Sequence, residues 1–312
     1  MPCGTSELLF LKEYIYYRPG IPFSYMARPA STGDCCDIDW NEVWKVRQDR
    51  HDAAQIAGDT SHDWDRKENA DRYAAQSAGE FEKRIRMTID GLAVSRATRV
   101  LDIGAGPGTL AIPLAAKVRE VTAVEPGAGM IAALRERASQ EGITTITCIQ
   151  KRWEDVDPTH DLAEPYDLVI ASLSLTMHDI REAVQKMDAV SCGEVCLYWF
   201  VDLPFWEQMH ADLALPLHRS PYYPGPKADC LWNVLYQTGI YANVEMLPLD
   251  KEYRFPAREE MTAFFKKRFG VTTRAQERVL DAYLSPLVRQ DGAGVVISGT
   301  STFAKIWWRK DT

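Results

Sequence analysis

The run Val100-Leu101-Asp102-Ile103-Gly104-Ala105-Gly106-Pro107-Gly108 constrains this chain more than any other segment. Its first half, with Arg99, is a short β-branched apolar run that stops in glycines, as a buried strand does before a tight turn. An apolar helix is expected to follow over 109–117. Glycine is required in such a turn for two reasons: the backbone must reach unusual φ/ψ, and a ligand must approach more closely than a Cβ allows. The free N–H groups of the helix start then face a carboxylate or a phosphate.

Two ligand classes use this kind of loop. Dinucleotide enzymes use GxGxxG, which would place the third glycine at Thr109; here it is Gly108, making GxGxG. Asp102 stands two residues before the first glycine, at the strand end, where it can pair with a cationic amine. S-adenosylmethionine (SAM) carries such an amine, and NAD carries none near its pyrophosphate. Glu125 closes the next strand, 21 residues after Gly104. An acid there accepts hydrogen bonds from ribose hydroxyls of either ligand.

The alternation continues downstream. Strands are expected over 99–103, 121–125, 143–149, 166–171 and 194–201, with helices over 128–141 and 180–187, and Gly142 placed to end the first of these helices. Strands alternating with helices at this spacing indicate a parallel sheet covered on both faces, an α/β doubly wound fold. A sixth strand is expected over 244–253 and a last one over 302–308. Residues 202–230 are rich in proline and aromatics, with a helix expected over 230–238 and a helical segment over about 257–287. Upstream, 1–36 is an irregular lead-in broken by Pro19, Gly20, Pro22, Pro29 and Gly33. Residues 37–96 read as a helical cap, in which Trp40, Val43 and Trp44 share one helix face, as do Phe81, Ile85, Thr88 and Ile89. Met26 leaves a later natural start open.

The formal net charge of −8 provides no general attraction to phosphate backbones, and no local basic patch compensates for it. Nucleic acid is therefore not expected as a partner. No stretch approaches the ~20 apolar residues of a membrane span, and the opening lacks a signal peptide's unbroken apolar region. A cytoplasmic protein with reduced thiols is expected. Seven cysteines form no tetrahedral metal pattern, so no metal is expected. The vicinal Cys35–Cys36 pair is read as two loop thiols, with a soft-metal or redox role as the alternative.

Val100–Gly108, Val121–Pro126 and Tyr166–Ala171 together resemble the motifs of the class I (Rossmann-like) SAM-dependent methyltransferases. The resemblance covers residues 97–201 well and implies a mostly parallel seven-stranded sheet with an antiparallel last strand. It implies a SAM-binding domain over 97–312, with substrate-covering insertions at about 202–240 and 255–290. SAM is the implied cofactor. Asp102 and the loop Gly104, Ala105, Gly106 and Gly108 would hold its amino-acid end, Glu125 its ribose, and Pro126 and Met130 its adenine. The acid usual after strand three is replaced by Arg152, followed by Trp153 and Glu154 as substitute contacts. Ser172 at the fourth strand's end, and Tyr73 with Trp64, complete the implied cofactor set.

Methyl transfer from a sulfonium is an in-line displacement, so positioning does much of the work. His178 follows strand four at the sheet edge where ligands bind, which makes it the candidate base or acceptor-orienting group. His218, Tyr222 and Tyr223, with His210, form a polar–aromatic cluster suited to acceptor binding. Lys266-Lys267-Arg268 reads as a solvated helix face. The function expected is methyl transfer to a small-molecule acceptor. A non-catalytic SAM-binding regulator and an NAD-dependent oxidoreductase are the alternatives. The oligomeric state is left open.

Overall fold

A computed structural model describes residues 38–54, 64–71, 73, 82–163, 165–292 and 294–310. Phe81, Met26 and the Cys35–Cys36 pair lie outside these residues. The described residues open on α1 (Trp40–Ala53), capped by the Asp39 carboxylate on the Asn41 N–H, and continue to α2 (Glu82–Asp90). The alternating core follows: β1 (Arg99–Ile103), α3 (Ala111–Ala115), β2 (Glu120–Val124), α4 (Ala128–Gln140), β3 (Ile146–Ile149), α5 (Pro158–Asp161), β4 (Tyr166–Ser172), α6 (Ile180–Val190) and β5 (Ser191–Phe200). It closes with α7 (Phe205–His218), α8 (Ala228–Gln237), β6 (Asn243–Phe255), α9 (Arg258–Arg268), α10 (Arg274–Leu284), β7 (Arg289–Asp291) and β8 (Gly294–Arg309).

The sheet order is β3-β2-β1-β4-β5-β8-β6, with the short β7 paired to β8 outside this path. Strands β1 to β5 are mutually parallel, and β8 runs antiparallel to both β5 and β6. This is the mostly parallel sheet expected, with an eighth strand that the sequence pattern did not disclose. Strand faces sort by the period of two. Leu101, Ile103, Val169, Ala171, Val195 and Leu197 pack under α1, α6 and α8. Val100, Val121, Leu168, Ile170 and Cys196 pack under α2 and α3.

Strands β6 and β8 run past the parallel strands. The last β5 pairing is Phe200 with Phe303, whereas the β6–β8 ladder continues to Phe255 with Val295. This extension lies beyond the C-terminal edge of β5. There it carries a separate core of Met209, Leu213 and Leu217 from α7, Met261 and Phe265 from α9, Leu280 and Leu284 from α10, and Tyr253, Val295 and Ile297 from the ladder. Helix α8, which falls within the 202–240 stretch read as insertion, packs instead against the main sheet through Leu231, Val234 and Leu235.

Candidate active site

The loops at the C-terminal ends of β1, β2 and β4 build the site. After β1 the chain turns through Gly104 (φ +70°), Gly106 (φ +55°) and Gly108 (φ +81°), a left-handed series that only glycine adopts without strain. Gly104 and Ala105 donate to the Val124 carbonyl at 2.8 and 3.2 Å, binding the turn to the end of β2. The three glycines do different work. A Cβ on Gly104 would stand 2.3 Å from the Ser174 Cβ, and one on Gly108 would press on Ile112 and Leu134 at 3.0 Å. A Cβ on Gly106 would meet nothing within 4 Å. The space beside Gly106 is therefore open, while the other two serve packing.

Asp102 is 2% exposed, and its Oδ2 atom is buried with no hydrogen-bond partner. Burial, with the Glu125 carboxylate nearby, pushes its carboxyl up to about 7. An orphaned buried oxygen costs about 1–3 kcal/mol, which a cationic donor would offset. Glu125 is also buried, and burial raises its pKa while two backbone donors oppose the rise. Gly106 and Gly127 donate to its two oxygens at 2.9 Å each. The glycine loop and the β2 loop are thus joined through one carboxylate.

Met130 is buried beside Ala70 and Ala133, with Trp64 and Tyr73 packed against them in an edge-on ring pair. The Asp65 carboxylate accepts from the Ala128 N–H at 2.9 Å, fixing the 64–71 segment over the start of α4. Pro126 is exposed beside this cluster. Trp153 is placed differently from its reading as an adenine contact. Its ring is 2% exposed within the main core and donates to the Ala183 carbonyl at 3.1 Å, facing α6. Glu154 is engaged by Arg152 at 2.6 Å.

Past β4, Leu173 holds a left-handed φ of +56°, uncommon for a branched residue. Its N–H donates to the Tyr198 carbonyl at 3.0 Å, and the Ser174 hydroxyl donates to the Ile103 carbonyl at 2.7 Å. Ser172 accepts from Arg84 at 3.1 Å. Arg84 is a residue that sequence reasoning missed: a guanidinium 7% exposed, on α2, directed at the end of β4. Burial lowers its pKa, but arginine keeps its charge in proteins. No signal in the sequence separates it from the charged residues on either side.

The remaining candidates lie in the cover. His178 is exposed and pairs with Asp49 of α1 at 3.0 Å. The His218 Nε2 lies 2.8 Å from the Phe269 carbonyl, inside the cap. The Tyr222 hydroxyl donates to Glu207 at 2.6 Å, and Glu207 also accepts from Lys227 at 2.7 Å, in a nearly buried ion pair. The Tyr222 ring touches those of His51 and His210. Tyr223 is exposed, with its carbonyl 3.0 Å from His51 Nδ1. The structure thus brings Tyr222 and His210 together, sets His210 and His218 on the ring and the carbonyl of Phe269, and leaves His178 in a separate setting. Among the described residues no cluster of His, Cys, Asp and Glu could hold a metal, and no helix is long and apolar enough to cross a membrane.

Residues 100–191 match a family model described as a methyltransferase domain. An uncharacterized protein of Haemophilus influenzae is 27% identical over 255 residues, covering 80% of this chain and 89% of its own length. A 23S rRNA (uracil(1939)-C(5))-methyltransferase, RlmD, of Stenotrophomonas maltophilia is 44% identical over only 62 residues, 20% of this chain and 14% of that protein. Among solved structures, the plantazolicin methyltransferase BamL in complex with a triazolic desmethylPZN analog and SAH superposes with a TM-score of 0.50 at 15% identity, covering 88% of this chain and 100% of that one. The orphaned acid beneath an open glycine loop fits the amine of SAM. The chain carries a methyltransferase domain over residues 100–191 and has the Rossmann-like fold of the class I SAM-dependent methyltransferases.

Proposed function

We propose that this methyltransferase acts on a small-molecule acceptor, enclosed between the C-terminal sheet edge and the cap of α7, α9 and α10. The observation that carries this reading is the separate hydrophobic core standing past the end of β5. A cap with its own core, standing on the side of the sheet where ligands bind in open α/β folds, favours an acceptor small enough to be enclosed. The net charge of −8 supports the same reading, because a polynucleotide would meet repulsion.

When bound, SAM supplies an electrophilic methyl group on a sulfonium. Asp102 receives the cofactor's amine, and Arg84, beside Ser172, its carboxylate. Glu125 orients the ribose while holding the loops around Gly106 and Gly127 together. Met130, Trp64 and Tyr73 cover the adenine side. Trp153 and Glu154 make no cofactor contact through their side chains in this assignment. Leu173 and Ser174 shape the wall from which the acceptor approaches, and the cap excludes water. The Tyr222–Glu207–Lys227 group holds the roof in register over the acceptor. His178, held by Asp49, stays an entrance residue rather than the base.

The test is calorimetry with SAM, SAH and NAD on wild type and Asp102→Ala, followed by labelled-methyl transfer into cell extract split by size. Label in the small-molecule fraction, lost in Asp102→Ala, is expected. Label confined to RNA or protein would overturn the small-acceptor reading.

A further inference from the structure

We infer that this enzyme forms a two-fold dimer through the outer edge of β6 and the aromatic flank of α8. In this region Leu231 to Leu247 contains a single charged residue, Glu245, in a chain that is 26% charged. Its large side chains are nevertheless at the surface: Trp232 is 38% exposed, Tyr236 55%, Tyr241 75%, Val244 42% and Met246 59%. They form one patch. Trp232 stacks on Tyr236 and Tyr236 meets Tyr241 edge-on. Val244 and Met246 stand opposite Ile306 and Ala304 of β8, on the sheet face that α8 covers. Together these side chains leave on the order of 500 Å² of aromatic and apolar surface, as large as the patches that mark interaction sites.

The backbone at this edge has a definite polarity. Thr302 directs its N–H to Asp202 and its carbonyl to the Val201 N–H, toward β5. Pro248, opposite Thr302, therefore turns its backbone away from β8, and alternation turns Ala242, Val244 and Met246 the same way. Among the described residues the N–H and C=O groups of Val244 and Met246 have no ladder partner on this side, the Ala242 carbonyl accepts from Trp232 Nε1 at 3.3 Å, and Pro248 ends the row because it has no N–H to offer. A second copy of this chain fits that row antiparallel about an axis at Val244. Val244 then pairs with its own counterpart and Met246 with the second copy's Ala242. Glu245 falls opposite the second copy's Asn243, so no like charges meet. A stable interface buries roughly 800 Å² per partner, so this contact needs the polar rim around the patch as well. The occupant is a copy of the chain because the patch is nearly neutral while the whole is acidic. Two molecules of net charge −8 can approach closely only through such a region, and the same acidity disfavours an anionic membrane or a nucleic acid.

The test uses the full chain. In sedimentation velocity at micromolar concentrations the wild type is expected to run as a dimer, and the Tyr241→Asp/Val244→Lys double variant as a monomer with wild-type SAM affinity. In addition, Val244→Cys is a mild surface change that places two sulfurs across the axis, where paired Cα atoms about 5.5 Å apart suit a disulfide. It should give a reducible dimer under mild oxidation, whereas wild type and Leu215→Cys, at an exposed site elsewhere, should not. A monomeric wild type, a double variant that stays dimeric, or a Val244→Cys protein that fails to cross-link would each overturn the inference.

Discussion

Near neutral pH the Asp102 carboxyl of the unliganded enzyme is half protonated, because burial and Glu125 push it up to about 7. A cationic amine needs the ionised form. Affinity for SAM should therefore fall as pH drops below 7, by up to tenfold per unit, in calorimetry from pH 8 to 5. The sign for stability is opposite. The folded pKa lies above the unfolded value, so the folded state binds more protons between the two, and the unliganded enzyme loses stability as pH rises from about 4 to 7. Asp102→Asn should accordingly melt no lower than wild type at pH 8 while losing the melting shift that SAM confers. Arg84→Met should weaken SAM binding by about tenfold or more, and Arg86→Met should leave it unchanged. Asp102 and Glu125 were legible in the sequence because the glycine spacing names their positions. Arg84 was not, since Glu82-Lys83-Arg84-Ile85-Arg86 reads as a solvated charged helix, and only tertiary packing separates buried Arg84 from Arg86, an exposed partner of Glu82.

The glycine turn distinguishes, between neighbouring residues, packing from ligand access. Gly104→Ala drives a Cβ into Ser174 at a left-handed φ and should cost about 3 kcal/mol or more in chemical denaturation. Gly106→Ala meets no neighbour and should cost only about 1–2 kcal/mol for its backbone conformation, yet should lower SAM affinity at least tenfold by filling the open space. The elements of the alternating core were legible because strand and helix periods alternate there with glycine punctuation. Gly142, at φ +66°, does end α4. Helix α7 was hidden: Pro204 precedes it, Pro216 in its last turn removes an intrahelical donor and reads as a breaker, and it ends on Arg219 at φ +56° where a glycine would have marked the stop. The single helical segment expected over 257–287 is two helices, split at Gly270 (φ +58°) and restarted by the Thr273–Gln276 capping box.

Across the whole molecule, two hydrophobic layers and the cap core meet at the edge of β5, and the Lys227–Glu207 pair with Tyr222 is the polar tie between them. Lys227→Met strands a buried carboxylate and should destabilise by about 3 kcal/mol, whereas Lys227→Met with Glu207→Gln should lose less. Both should raise the acceptor KM and leave SAM affinity within about twofold, as read by steady-state kinetics beside calorimetry. The fold class was legible at this scale, but the cap was not, because its core draws on elements separated in sequence whose apolar residues look like those of the sheet. The position of β8 has a further consequence. It lies between β5 and β6, both of which leave the ribosome earlier, since synthesis proceeds N-terminal first at roughly 5–20 residues per second. Until β8 emerges, β5 and β6 have no contact through the sheet, and each presents a bare edge. The strands of the glycine loop precede β8 in the chain, whereas the extended β6–β8 ladder under the cap cannot form without it, so unpaired strand edges stand exposed in the interval before β8 arrives.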